Sequence, residues 1–195
     1  MGRMRKFPVV LDLETKYSFR DYDDPKKLGI SVAAIYDYKS KEEKVFEERQ
    51  LTELFPILES ASYVVGYNVA SFDIAVLQAY YPGKVDVFTP FDILEDIKSK
   101  IGRRISLNEV IGATLGKKKT GHGFQAINLY NEGKVDELKR YCLDDVMFTK
   151  ELFEYGVKQG EIFYLTPNGK IAIKVDWKKY LEGQSNQDVP LTLPF

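Results

Sequence analysis

The order of predicted strands and helices is the feature that most restricts how this chain can fold. Three strand-like segments come first, at residues 6–15, 29–38 and 45–48, and their close spacing predicts an antiparallel meander. Helices and strands alternate after them, with helices predicted at 51–60, 71–81, 92–102, 106–116 and 134–157 and strands at 62–68 and 85–90. This order predicts an α/β fold with a mixed central sheet, antiparallel in its first three strands, and helices on both faces.

Polar residues and glycine mark the ends of several predicted helices. Thr52 and Ser71 are predicted as N-caps, and Ser106 with Glu109 gives the capping-box pattern. Gly102 is predicted to end the third helix. We expect the basic, glycine-containing segment 117–126 to be a loop, residues 161–177 to form a β-hairpin, and the helix at 134–157 to be the longest.

Composition excludes several kinds of site. The chain has 195 residues and is 44% hydrophobic, which is enough to bury a core. Cys142 is its single cysteine, which rules out an internal disulfide and a cysteine-based zinc site. His122 is its single histidine, which disfavours a His-rich metal site and a Ser-His-Asp triad. The chain has 28 basic and 29 acidic residues, so its net charge does not indicate a polyanionic partner. With no apolar leader or membrane-length segment, we expect a soluble, cytoplasmic protein.

Two regions place carboxylates beside apolar segments. On the first strand, Asp12 and Glu14 alternate with Leu11 and Leu13 and therefore share one face. The alternative is that the strand ends at Leu11 and that both acids are solvated. Asp73 lies in the first turn of a helix that follows a buried strand, where interaction with the helix dipole would also explain it.

The segment "YCLDDVMFT" places two adjacent aspartates in the long helix. An apolar stripe at helical spacing predicts a buried face made of Val135, Leu138, Cys142, Val146, Thr149 and Phe153. Asp144 falls opposite this face and should meet water, whereas Asp145 falls on its edge. Tyr141 lies one turn before Asp145 on the same edge, so the two side chains can converge. A core-edge aromatic is the alternative role for Tyr141.

Together, "DLE", "NVASFD" and "YCLDD" resemble the three motifs of the DnaQ-like 3′–5′ exonuclease superfamily, and the tyrosine marks its DEDDy branch. The resemblance runs from about residue 9 to 152 and implies the ribonuclease H-like three-layer fold. In the sister branch a histidine stands five residues before the last aspartate, and here that residue is Arg140.

The resemblance implies a site of four acids that holds two divalent cations, Mg²⁺ or Mn²⁺, which suit oxygen ligands. Asp12 would contact both ions, Glu14 and Asp145 would hold the ion near the attacking water, and Asp73 would hold the other ion. Tyr141 would orient the water. The implied activity is phosphodiester hydrolysis at single-stranded nucleic-acid ends, with DNA favoured over RNA.

Substrate contacts are expected from residues near these acids and from the basic loop. The resemblance implies contacts with the terminal nucleotide from the positions just after the first acids, which are Leu13 and Thr15 here. Phe72 could stack near the terminal bases, and a place in the core is its alternative role. A solvated lysine run is the alternative for the loop. The expected substrate-binding residues are Leu13, Thr15, Asn68, Phe72, Lys117, Lys118 and Lys119.

Three units are expected along the chain: an exonuclease domain at 1–158, a hairpin appendage at 159–181 and a flexible or partner-binding tail at 182–195. The tail ends in "VPLTLPF", which resembles the short peptides by which bacterial replication proteins bind the sliding clamp. A clamp, or a helicase or repair protein, is therefore an expected partner, and docking on the protein's own body is the alternative. An endonuclease or junction-specific nuclease, and a non-catalytic binding module, are the alternative functions.

Overall fold

The computed structural model describes residues 6–119 and 124–182. The strands of its main sheet are β1 (Val9–Thr15), β2 (Ile30–Asp37), β3 (Glu42–Glu47), β4 (Val64–Gly66) and β5 (Pro90–Asp92). They lie in the order β3–β2–β1–β4–β5, with β1–β2 and β2–β3 antiparallel and β1–β4 and β4–β5 parallel. The predicted mixed sheet with three antiparallel first strands is therefore confirmed.

Helices cover both faces of this sheet. They are α1 (Leu51–Ser60), α2 (Asp73–Leu77), α3 (Ile93–Ile101), α4 (Leu107–Leu115), α5 (Phe124–Asn131), α6 (Val135–Gln159) and α7 (Lys178–Glu182). Val9, Leu11 and Leu13 pack into a core with α1 and α2. Val10, on the other face of β1, packs into a second core with α3, α4, α5 and α6. Because side chains alternate along a strand, Asp12 and Glu14 share the face of Val10 and point toward α6.

A two-stranded hairpin follows α6 and packs into the second core. Its strands are β6 (Glu161–Thr166) and β7 (Gly169–Lys174), which pair antiparallel as predicted. Trp177 is 1% exposed, and its indole Nε1 donates a hydrogen bond to Asp96 at 2.8 Å. A Cβ on Gly156 would lie 2.2 Å from the Trp177 ring, so only glycine allows this contact. The segment that follows the hairpin thus packs on α6 near its end, and the expected division at residue 158 stays a prediction.

Of the four expected helix ends, two are wrong and two are confirmed. Gln50, not Thr52, precedes α1, because a 3-10 turn leads the chain directly into that helix. Ser71 does not cap α2: its hydroxyl donates to Oδ1 of Asn68 at 2.7 Å, and Phe72 is the residue before the helix. By contrast, Ser106 caps α4 in the predicted capping box. Gly102, with φ 75°, ends α3 as predicted.

Three further expectations fail for local reasons. The strand expected at 85–90 is a 3-10 turn at Val85–Val87, and only its last residue, Pro90, belongs to β5. Residues 117–119 are irregular, as expected of the predicted loop 117–126, but α5 begins inside that segment, at Phe124. Val135 is 40% exposed because it is the first residue of α6 and lies before the packed face begins.

Within residues 6–119 and 124–182, no helix is long and apolar enough to span a bilayer. His122 and residues 183–195, which include nearly all of the expected partner-binding tail, lie outside the described part of the chain.

Candidate active site

Three of the expected acids meet between β1 and α6. Asp12 and Glu14 lie opposite Ala34 and Val32 of β2, on the face that α6 covers. Asp145 of α6 is 5% exposed and faces them. One carboxylate oxygen from each acid lies within 4.8 Å of the other two. We call Asp12, Glu14, Asp73 and Asp145 the acid cluster.

The fourth acid, Asp73, joins the cluster through the main chain of β1. Its Oδ1 accepts a hydrogen bond from the backbone N–H of Leu13 at 2.9 Å, and the residue is 3% exposed. Leu13 stands between the two acids of β1. Asp73 therefore lies next to the three convergent carboxylates, although it is not one of the group within 4.8 Å.

The loop that leads to Asp73 is fixed by Asp92, a residue that sequence reasoning missed. The Asp92 carboxylate accepts from the backbone N–H groups of Asn68 and Ala70, each at 3.0 Å. It also caps α3 by accepting from the N–H groups of Leu94 and Glu95. Asp92 is 9% exposed, so this buried carboxylate satisfies four main-chain donors. Its place just before a helix is the signal that could have identified it.

Gly66 allows the same loop to pass close to β1. A Cβ at this position would lie 2.6 Å from the Val69 side chain and 2.9 Å from the carbonyl oxygen of Leu11. Asn68 then adopts a left-handed φ of 73°, which asparagine tolerates better than most residues. Glycine and asparagine in "GYNVASFD" thus shape the turn that delivers Asp73 to the site.

Crowding and burial make the acid cluster unfavourable without cations. Burial, followed by repulsion from the neighbouring acids, raises the pKa of Asp12 well above its ordinary value and that of Glu14 to about 8. Burial also raises the pKa of Asp73 to about 8, and that of Asp145 rises for the same reason. A donor set made only of carboxylate oxygens fits hard divalent cations such as Mg²⁺ and Mn²⁺. The cluster could therefore hold such ions, which would relieve the repulsion.

Tyr141 places a hydroxyl beside these acids. It is 8% exposed, and its hydroxyl has no hydrogen-bond partner within the described residues. Burial and the nearby charge of Asp145 raise the pKa of Tyr141, so the hydroxyl stays protonated and can act as a donor. As predicted, Asp144 is exposed to water while Asp145 is buried.

The three expected phosphate-binding lysines point to different places. Lys119 forms an ion pair with Oδ2 of Asp145 inside the acid cluster. Lys117 pairs with Glu151 at 2.5 Å, and Lys118 is exposed. Only Lys119 therefore reaches the site among these three.

A comparison with protein-family models identifies the family of this chain. The RNase_H superfamily model matches residues 10–157. The chain belongs to the RNase_H superfamily. No curated protein matches it. Among solved structures it is similar to E. coli exonuclease I in complex with a 5cy-dT13 oligonucleotide, with a TM-score of 0.46 and 11% identity. That match covers 80% of this chain and 41% of the exonuclease chain, so this chain spans less than half of that protein.

This RNase_H superfamily member has a cleft of about 610 Å³ beside the acids. Its lining includes the expected substrate-binding residues Leu13, Thr15 and Phe72, together with Asp12, Glu14 and Asp73. Phe19, which sequence reasoning missed, also lines the cleft. Phe19 is 51% exposed, and its ring packs edge-on against that of Phe72 at a centroid distance of 5.9 Å.

Asn68, also expected to bind substrate, is not part of the cleft lining in this superfamily member. Its Oδ1 accepts from Arg104 at 2.6 Å and from the hydroxyl of Ser71 at 2.7 Å. These bonds, with the turn conformation, give Asn68 a visible role in shaping the loop before Asp73.

Proposed function

We propose that this chain is a metal-dependent 3′–5′ exonuclease of the DnaQ-like, DEDDy type. Its proposed reaction is the hydrolysis of phosphodiester bonds at single-stranded nucleic-acid ends, with DNA favoured over RNA. The observation that carries the proposal is the convergence of carboxylate oxygens from Asp12, Glu14 and Asp145 within 4.8 Å. Next to them lies the hydroxyl of Tyr141, which has no hydrogen-bond partner among the described residues. Membership of the RNase_H superfamily, a group of nuclease-type hydrolases, supports the same reaction class.

The acid cluster would hold two divalent cations. Asp12 would contact both, Glu14 and Asp145 would share one, and Asp73 would hold the other from its position on the Leu13 N–H. When bound, two such ions neutralise the acids and supply the water activation and charge stabilisation that phosphodiester hydrolysis needs. The four raised carboxyl pKa values support this assignment, because they mark a site that gains stability from bound positive charge.

Tyr141 would orient the attacking water by a hydrogen bond. Its hydroxyl is buried next to Asp145 and Glu14 and has no partner among the described residues. Because its pKa is raised, Tyr141 does not remove the proton from water. Its proposed contribution is the position of that water.

The cleft beside the acids would receive the terminal nucleotide. Leu13 and Thr15 line it, and Phe72 and Phe19 offer aromatic surfaces. An unpaired base can stack on such a surface, a contact worth about 1–3 kcal/mol per base and independent of sequence. This supports a single-stranded end as the substrate.

Digestion of end-labelled oligonucleotides tests the proposal. With Mg²⁺ or Mn²⁺, a 5′-labelled single strand should shorten in a ladder, and Asp12→Ala and Asp145→Ala should each stop the reaction. Asp144→Ala is the matched control on the same helix and should leave the ladder unchanged, since Asp144 faces water. Cleavage that persists in excess chelator would refute the metal-dependent mechanism.

Substrate form separates the alternatives. A circular single strand has no end, so its cleavage would show that the protein is an endonuclease and not an exonuclease. Matched DNA and RNA strands, labelled at either end, measure the polarity and the preference for DNA.

Loss of partner binding without loss of digestion, after deletion of residues 184–195, would support the proposed role of the tail in binding a clamp, helicase or repair protein.

A further inference from the structure

Lys119 differs from its two neighbours in where its charge lies. Its Nζ pairs with Asp145, and its side chain is only 17% exposed, against 47% for Lys117. Lys117 forms its ion pair with Glu151, away from the acid cluster, and Lys118 is exposed. Of these three lysines, only Lys119 therefore places its charge in the acid cluster.

The position of Lys119 is held by more than charge attraction. Its backbone N–H donates to Oδ1 of Asn108 in α4 at 2.9 Å. Its Nζ also lies 5.6 Å from the ring centroid of Tyr141, within the range of a cation–π contact. The main chain is thus fixed against α4, and the ammonium lies close to both the Tyr141 ring and the Asp145 carboxylate that the proposed mechanism requires.

An ammonium on Asp145 competes with a divalent ion for the same carboxylate. A single positive charge cannot neutralise four acids, whereas two divalent ions can. A lysine ammonium is also a point charge on a flexible stem, so it can leave one anion for another without moving the main chain. Bond formation between Asp145 and a divalent ion would release the ammonium next to the cleft.

We propose that Lys119 is an internal counter-ion, which occupies Asp145 in the metal-free protein, is displaced by a divalent cation and then binds the substrate phosphate. The second half of this proposal rests on the proposed nuclease function, and the first half rests only on the acid cluster. Because displacement by metal frees the ammonium for phosphate, binding of either ligand should strengthen binding of the other.

Calorimetric titration with Mn²⁺ tests the competition. Lys119→Met should bind Mn²⁺ roughly ten-fold more tightly than the unmodified protein, a change equivalent to about 1.4 kcal/mol. Lys118→Met removes the same charge one residue away and controls for long-range electrostatics, so its affinity for Mn²⁺ should stay within about two-fold of that of the unmodified protein. Equal Mn²⁺ affinities for these two variants, or weaker binding by Lys119→Met, would overturn the competition.

Thermal unfolding gives a second readout that needs no catalysis. Lys119→Met should melt at a lower temperature than the unmodified protein in chelator, and saturating Mn²⁺ should remove most of that difference. Lys119→Arg retains the positive charge, so it should fold and bind Mn²⁺ like the unmodified protein. If Lys119→Arg binds Mn²⁺ as tightly as Lys119→Met, the competing charge is not the cause.

The phosphate step is tested with deoxyadenosine monophosphate as the probe. Saturation with this nucleotide should raise the Mn²⁺ affinity of the unmodified protein, and this gain should be several-fold smaller in Lys119→Met. Equal gains in both proteins would overturn the transfer of the ammonium to phosphate. If the nucleotide binds no variant even with Mn²⁺ present, the proposed nuclease function and the phosphate step both fail, and the Mn²⁺ titrations still decide the competition.

Discussion

Neutralising Glu14 should stabilise the metal-free protein at high pH. Burial, then repulsion from Asp145, raises the pKa of Glu14 from 4.5 to about 8. At about 1.36 kcal/mol per pKa unit, this difference is worth at most about 5 kcal/mol of unfolding free energy. The other acids change their protonation when one charge is removed, so we expect Glu14→Gln to add about 1–3 kcal/mol at pH 8.

The sign of the pH dependence follows from where the proton is held. Between pH 4.5 and about 8, the folded protein keeps a proton on Glu14 that the unfolded chain has released. The unfolded state therefore binds fewer protons, and the unfolding free energy falls as pH rises through this range. A glutamine has no proton to lose. The advantage of Glu14→Gln should accordingly be small at pH 5 and largest at pH 8.

Urea unfolding followed by circular dichroism, in buffers with chelator at pH 5 and pH 8, measures this difference. Glu43→Gln is the matched control, because Glu43 is an exposed residue of β3 and should change stability by less than about 0.5 kcal/mol at either pH. Added Mn²⁺ should reverse the order at pH 8, since only the unmodified protein keeps the complete ligand set. The reasoning is refuted if Glu14→Gln is no more stable than the unmodified protein at pH 8, or if its gain is equal at both pH values.

Three further substitutions test separate parts of the structure. Tyr141→Phe should lower kcat about ten-fold, the effect of one hydrogen bond of about 1.4 kcal/mol, and an unchanged kcat would contradict its role in orienting water. Its melting temperature should stay unchanged because the hydroxyl has no partner among the described residues. Trp177→Ala should lower the unfolding free energy by about 3–5 kcal/mol, against less than about 1 kcal/mol for the exposed Leu165→Ala. Similar losses in urea titrations would show that the segment after β7 does not stabilise the core. Asp92→Ala should lower the unfolding free energy by about 2–4 kcal/mol because four N–H groups lose their acceptor, compared with about 1 kcal/mol for the exposed cap in Asp24→Ala. It should also weaken Mn²⁺ binding, and an unchanged Mn²⁺ affinity would show that the loop does not position the site.

Regular periodicity explains which parts of the site could be predicted from sequence. The two-residue period of a strand placed Asp12 and Glu14 on one face, and the 3.6-residue period of a helix separated buried Asp145 from exposed Asp144. Both predictions depend only on backbone geometry, and both agree with the observed burial and packing. The mixed sheet with three antiparallel first strands followed from the same regular elements.

Contacts made by irregular segments could not be predicted in this way. Nothing periodic distinguishes Lys119 from the two lysines before it, and its place was fixed by Asn108, eleven residues earlier in the chain. Asp92 is joined to Asn68 across 24 residues, and only the folded sheet brings them together. The 3-10 turn that leads directly into α1 likewise left the expected cap at Thr52 inside the helix.

The hydrogen bond from the Leu13 N–H to Asp73 gives this aspartate two roles that mutations will confound. Strand β4 pairs with β1 only as far as Val10, so the β1 edge beyond that point lacks a neighbouring strand, and the Asp73 carboxylate takes the place of a strand carbonyl there. Alanine at this position would remove a proposed metal ligand and also leave a main-chain donor without an acceptor. Asparagine would remove the charge but keep an oxygen for the Leu13 N–H. A comparison of the two variants therefore separates the cost to the fold from the cost to the metal site.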